Sequence, residues 1–168
     1  MIFNPKSFGA KADGSHDDTN AIQQAIDKAF FSGGGRIVLK NGVFLSGTIY
    51  LKSNISLEID ASACLLASPD INSYGSDTHH NRYRNEPELD RCFIFAENAD
   101  NIELCGNGII NGNAEFFPNS NNIYRPMMIR FLNCRNIRLH DLRLYNSAAW
   151  TTAFLDSERI FISNIDIK

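Results

Sequence analysis

Cysteine is scarce in this chain and carries no pattern. Cys64, Cys92, Cys105 and Cys134 form no CxxC pair and have no accompanying histidine spacing. A zinc site is therefore not expected, no cofactor is implied, and the four are read as buried free thiols. Long apolar runs are also missing: nothing approaches the roughly 18 consecutive residues that a membrane-spanning helix needs. Positive charge is not in excess, since 16 Lys and Arg stand against 19 Asp and Glu for a net charge of −3. That balance offers no basic field for nucleic acid or an anionic membrane. Met1-Ile2-Phe3-Asn4-Pro5-Lys6 does not read as a secretory signal, so the chain is expected in the cytoplasm, or secreted with its leader absent from this sequence. Neither Gly33-Gly34-Gly35 nor Gly106-Asn107-Gly108 is followed by Gly-Lys-Ser/Thr, which makes them turns and not phosphate loops.

What is present is a repeat. Phe131-Leu132-Asn133-Cys134-Arg135-Asn136-Ile137-Arg138-Leu139-His140-Asp141-Leu142-Arg143-Leu144 returns 23 residues later as Phe154-Leu155-Asp156-Ser157-Glu158-Arg159-Ile160-Phe161-Ile162-Ser163-Asn164-Ile165-Asp166-Ile167. Ile137/Leu139 and Leu142/Leu144 alternate with polar residues, the period of half-buried strands. One polar pair, His140-Asp141 or Ser163-Asn164, separates the two short strands in each copy. That is too little for a reversing hairpin, so a bend is expected. Met127 to Phe131, and then Thr151 to Phe154, supply a third strand. Three short strands per turn, stacked about 4.8 Å apart, describe an all-β, single-stranded parallel β-helix, expected to be right-handed because strand crossovers nearly always are. Ile137 should stack on Ile160 and Leu142 on Ile165.

Earlier coils are less regular. Asn101-Ile102-Glu103-Leu104 aligns with Asn136-Ile137-Arg138-Leu139 at an offset of 35, one period plus an insertion within Asn113 to Tyr124. Asn54-Ile55-Ser56-Leu57 lies 47 residues before it, nearly two periods. Cys134 corresponds to Ser157, while Cys105 has no stacked counterpart in this reading. The recurring asparagine is either a ladder inside a bend, satisfying buried backbone groups, or simply a turn former. Arg36 to Leu39, Gly42 to Leu45, Thr48 to Leu51 and Ser56 to Ile59 read as strands punctuated by glycine.

Near the start, Asp17-Asp18-Thr19-Asn20 offers helix-capping side chains in preference to a metal site, and Ile22, Ala25, Ile26, Ala29 and Phe30 form an apolar stripe at helical spacing. The helix is expected over roughly Thr19 to Phe31, ended by Gly33-Gly34-Gly35 and laid across the open end of the solenoid. All 168 residues are read as one β-helix domain. The stretch from Ser68 to Arg91 breaks the pattern; its His79, His80, Arg82, Tyr83 and Arg84 either line a groove for an acidic ligand or form a solvated loop.

Several motifs, in order, resemble glycoside hydrolase family 28, the polygalacturonases. They are Phe8-Gly9-Ala10 with Asp13-Gly14, Asp17-Asp18-Thr19 and Ala21-Ile22-Gln23; Gly47-Thr48-Ile49-Tyr50-Leu51-Lys52-Ser53-Asn54-Ile55-Ser56-Leu57; Ala96-Glu97-Asn98-Ala99-Asp100-Asn101-Ile102; Gly106-Asn107-Gly108-Ile109-Ile110-Asn111-Gly112; Arg125-Pro126; and Asn146-Ser147-Ala148-Ala149-Trp150-Thr151. The resemblance implies inverting hydrolysis of galacturonan by paired Asp carboxylates, for which separations of about 6.5–9.5 Å leave room for water. The family's Asn-Thr-Asp, Asp-Asp, Gly-His-Gly and Arg-x-Lys motifs do not occur here, so no catalytic residue is assigned. The chain is expected to stop one coil before the catalytic strand, at a position corresponding to Thr151 plus one period, and to be inactive alone. A non-catalytic module, binding acidic oligosaccharide or serving a spike-like structural role, is the alternative. A calcium-dependent lyase comes last, because no acidic strand face is seen.

Substrate contact, as acidic polysaccharide or oligogalacturonide, is assigned to Arg125, Arg130 and Trp150 on the groove-facing side of the third strand; the alternative makes Trp150 core and Arg130 solvated. The last coil supplies no cap, so end-to-end self-association is expected.

Overall fold

The computed structural model describes residues 1–78, 90–117 and 124–168. The insertion residues His79, His80, Arg82, Tyr83 and Arg84 lie outside the described residues.

The chain winds as a parallel β-helix. Its strands are β1 (Ile2–Phe3), β2 (Asp13–Asp17), β3 (Gly35–Leu39), β4 (Gly42–Ser46), β5 (Ile49–Leu51), β6 (Ile55–Ile59), β7 (Ala63–Ala67), β8 (Cys92–Glu97), β9 (Asp100–Cys105), β10 (Ile109–Asn111), β11 (Met127–Leu132), β12 (Arg135–Tyr145), β13 (Thr152–Leu155) and β14 (Glu158–Ile167). Among the described residues every strand pairing is parallel. One curled sheet runs β1-β3-β6-β9-β12-β10-β7-β4-β2 with β14 paired to β12, and a second runs β13-β11-β8-β5. The curl arises because β12 and β14 each pass through a bend, at Asp141 (φ 57°) and Asn164 (φ 50°), so the two short strands expected in each copy are halves of one bent strand. Ile137 stands on Ile160 and Leu142 on Ile165, as the repeat requires.

The spacing of the coils differs from expectation at one point. Ser56 pairs directly with Glu103, so the 47 residues from Asn54 to Asn101 make a single coil and not nearly two. The segment between β7 and β8 is about one period long, and in an offset count it imitates a missing coil.

Inward residues from all three faces form one core that includes Ile37, Leu57, Leu104, Ile137 and Leu139, stacked rung on rung. Helix α1 (Thr19–Phe31) covers the open first coil, burying Ala21, Ile22, Ala25, Ile26 and Ala29. Phe30 is 38% exposed and lies under the Lys52 ammonium instead of joining the buried stripe. The acidic run before the helix does more than cap it. Asp17 accepts the Thr19 N–H at 2.8 Å, whereas the buried Asp18 carboxylate accepts from the backbone N–H groups of Lys11 (2.7 Å) and Ala12 (2.9 Å), tying the preceding loop to the helix start. Past the helix, Gly34 adopts φ 121° and its N–H reaches the Ala29 carbonyl at 2.9 Å; a Cβ there would sit 2.7 Å from the Asn54 oxygen.

The recurring asparagine is a turn former and also builds a ladder, but not the ladder expected. Asn54, Asn101 and Asn136 are all left-handed (φ 63°, 59° and 53°), as turn formers are. Their amides also form a ladder, Asn101 donating to Asn54 at 2.8 Å and Asn136 to Asn101 at 3.0 Å. The ladder is on the exposed side of the bend and not inside it, and it links amide to amide. A second such pair is Asn133 donating to Asn98 at 2.6 Å.

Candidate functional site

Alternation along β11 places Ile129 and Phe131 in the core and turns Arg130 outward, between Phe95 and Ala153 of the neighbouring strands. Outward is not solvated here. Arg130 is 1% exposed, and its guanidinium donates to the Thr78 carbonyl at 2.6 Å. The segment leading to Thr78 roofs this face: Asp77 accepts the Tyr50 hydroxyl at 2.6 Å, and Gly75 N–H donates to Thr48 at 3.0 Å. Burial pulls the Arg130 guanidinium below its ordinary pKa, and a ligand cannot reach it without lifting the roof.

Arg125 reaches the backbone close to Trp150 in sequence, and Arg130 does not join them. The half-buried Arg125 donates to the Ala148 carbonyl at 3.2 Å, two residues from Trp150, and Trp150 is 51% exposed. Of the two alternatives read from the sequence, the one with Trp150 in the core and Arg130 in solvent is inverted by the structure. Trp150 keeps its place because the Met128 N–H donates to its carbonyl at 3.0 Å, fixing the backbone while the indole stays at the surface.

A second cluster escaped the sequence reading. On the outer face of β9 and β12, Glu103, Cys105 and His140 place one carboxylate oxygen, one thiol sulfur and one ring nitrogen all within 4.8 Å of one another. His140 Nε2 is 3.2 Å from Glu103 Oε1, and its Nδ1 is 2.8 Å from Asp141 Oδ2. Ser56 donates to Glu103 Oε2 at 2.6 Å, and Arg36 Nη2 lies 3.8 Å from the same oxygen. The bond to Asp141, and then that to Glu103, raise the His140 pKa against the effect of burial. Burial works against ionised Glu103, but the hydrogen bonds from Ser56 and His140 hold its carboxyl below the ordinary value. The Cys105 thiol is pushed up by burial. The usable signal was the offset of 35: it pairs Glu103 with Arg138, and two residues on it sets Cys105 beside His140, so Cys105 does have stacked neighbours, Glu58 below and His140 above. All four cysteines are free; Cys92, Cys105 and Cys134 are buried and Cys64 is half-buried.

With this geometry in view, the relatives can be placed. The model of the rhamnogalacturonase A/epimerase, pectate lyase-like family matches residues 2–149. The chain belongs to that family. Polygalacturonase-2 of Solanum lycopersicum is 29% identical over 181 aligned positions, covering 99% of this chain and 36% of the tomato protein. The exo-poly-alpha-D-galacturonosidase of Dickeya chrysanthemi is 36% identical over 121 positions, covering 67% of this chain and 19% of its own length. Among solved structures, the exopolygalacturonase of Thermotoga maritima superposes with a TM-score of 0.87 at 25% identity, over 100% of this chain and 47% of that one. The chain thus spans about a third or less of these curated relatives. The polygalacturonase resemblance read from the motifs stands, and this pectate lyase-like chain corresponds to part of such enzymes.

Proposed function

We propose that the chain forms the helix-capped coils of a polygalacturonase-type glycosidase, one that cleaves galacturonan by inverting hydrolysis, and that the edge carrying Arg125 and Trp150 contacts the acidic saccharide. The family match over residues 2–149 carries the first half of this reading. The second half is supported by an Arg125 guanidinium bonded to the Ala148 carbonyl, two residues from the exposed Trp150: Arg can take a uronate carboxylate bidentately and a Trp face suits a sugar ring. Arg130 is not assigned to direct contact, because it lies beneath the Thr78 segment. It steadies the strand that presents this edge.

The catalytic carboxylates of this reaction are not among the 168 residues, since none of the four family motifs is present. General acid–base groups are each worth about 10²–10⁴-fold, so the 168-residue chain should release no reducing sugar from polygalacturonate above a blank. Binding is tested separately. Trp150 is the only tryptophan, so its fluorescence reports on this edge alone. Oligogalacturonate should quench or shift it, and Arg125→Gln should weaken the response. An unchanged spectrum at millimolar ligand would remove the contact assignment.

A further inference from the structure

We propose that Glu103, Cys105 and His140 form a binding site for a zinc-class divalent transition metal, with Glu103 Oε1, Cys105 Sγ and His140 Nε2 as ligands and water completing the shell. Their three donor atoms already lie within 4.8 Å of one another, so small side-chain rotations bring each to about 2.0–2.3 Å from one common ion. The 3.2 Å between His140 Nε2 and Glu103 Oε1 widens only slightly when an ion replaces the proton between them.

The supporting groups point the same way. Asp141 Oδ2 takes the Nδ1 side of the ring, which leaves the Nε2 lone pair for a metal, the carboxylate–histidine arrangement common around zinc. Ser56 and Arg36 both engage Glu103 Oε2, so Oε1 is the oxygen left facing the histidine and thiol. The donors sit on paired strands and not on loops, which limits how far they can drift. A thiol with an imidazole selects zinc, cobalt or a similar ion over calcium or magnesium, which prefer oxygen alone. Binding releases two protons to solvent, that of the Cys105 thiol and that shared between His140 Nε2 and Glu103 Oε1, and leaves a thiolate and a neutral imidazole on the metal. Access is from the outer face, where Ser56 and Glu103 also line an open groove of about 570 Å³ with Arg138 and Phe161. The site is separate from the Arg125–Trp150 edge, and neither proposal depends on the other.

The test uses the reduced, chelator-treated 168-residue chain. Zn²⁺ alone, followed by calorimetry, should bind one ion per chain. Co²⁺ should give a thiolate-to-metal charge-transfer band in the near ultraviolet and d–d bands of tetrahedral intensity. Cys105→Ser should abolish the charge-transfer band, and His140→Gln should weaken binding at least tenfold. Asp141→Asn should weaken it roughly 10–100-fold while keeping the band, and Cys64→Ser should change nothing. Thermal melts without metal establish that each variant folds; if Cys105→Ser does not, the half-exposed His140→Gln still decides. Absence of stoichiometric binding, a cobalt complex without the thiolate band, or affinity unchanged in either ligand variant would each overturn the site.

Discussion

At the scale of single residues, the bends are held by backbone conformations that most side chains resist. Left-handed φ costs a residue with a Cβ about 1–2 kcal/mol, and Asn and Asp tolerate it best because their short polar side chains bond locally. Asn101 stands at the middle of its ladder, donating to Asn54 and accepting from Asn136. Asn101→Ala should therefore lose both the tolerance and the ladder, about 1–3 kcal/mol in a urea titration. Asn101→Gly keeps the backbone at ease and should cost about 1 kcal/mol. A glycine variant less stable than the alanine one would sink the conformational account. The ladder itself was half legible: recurrence of asparagine announced it, but not that the amides line the outside. In the last coil the position falls to Arg159, still left-handed at φ 57°, and the ladder stops there.

At the scale of elements, the capping helix was legible to its ends, because an apolar stripe at helical spacing and a run of glycines are local signals. Ile22, on the inward face of that helix, is fully buried. Ile22→Ala should cost about 2–5 kcal/mol through lost burial and the cavity left behind, measured as a shift in the denaturation midpoint. Phe30→Ala, on the exposed flank, should cost far less. What was not legible depended on contacts remote in sequence. Arg130 is buried by a carbonyl 52 residues away, and no periodicity within β11 reports that. Glu103 and His140, 37 residues apart, meet only once the coil lengths are known. Asp18 read as a cap because capping is the commonest use of an aspartate there, yet its carboxylate is committed to the loop before it.

At the scale of the whole molecule, the two ends of the solenoid differ. One lies under α1. At the other, among the described residues, no strand pairs with the far side of β13 or β14. Ile160, Ile162 and Ile167, which continue the core rungs of Ile137, Leu139 and Leu144, are 37%, 49% and 57% exposed. Open strand edges over an apolar cross-section recruit other strands. The 168-residue chain should self-associate through this end, and light scattering should show mass growing with concentration. A stable monomer at high concentration would contradict it, whereas relief by residues appended after Lys168 would locate the contact.

The coils also differ in how much chain they consume: 47, 35 and 23 residues separate successive stacked partners. Each advances the molecule by the same inter-strand spacing. The surplus is always taken at one corner, between β7 and β8, between β10 and β11, and hardly at all between β12 and β13. Such a solenoid behaves as a screw thread with a fixed pitch. Lengthening a loop at that corner costs only a logarithmic closure entropy, so the rim over the β5-β8-β11-β13 face can be rebuilt in sequence and size without moving any rung.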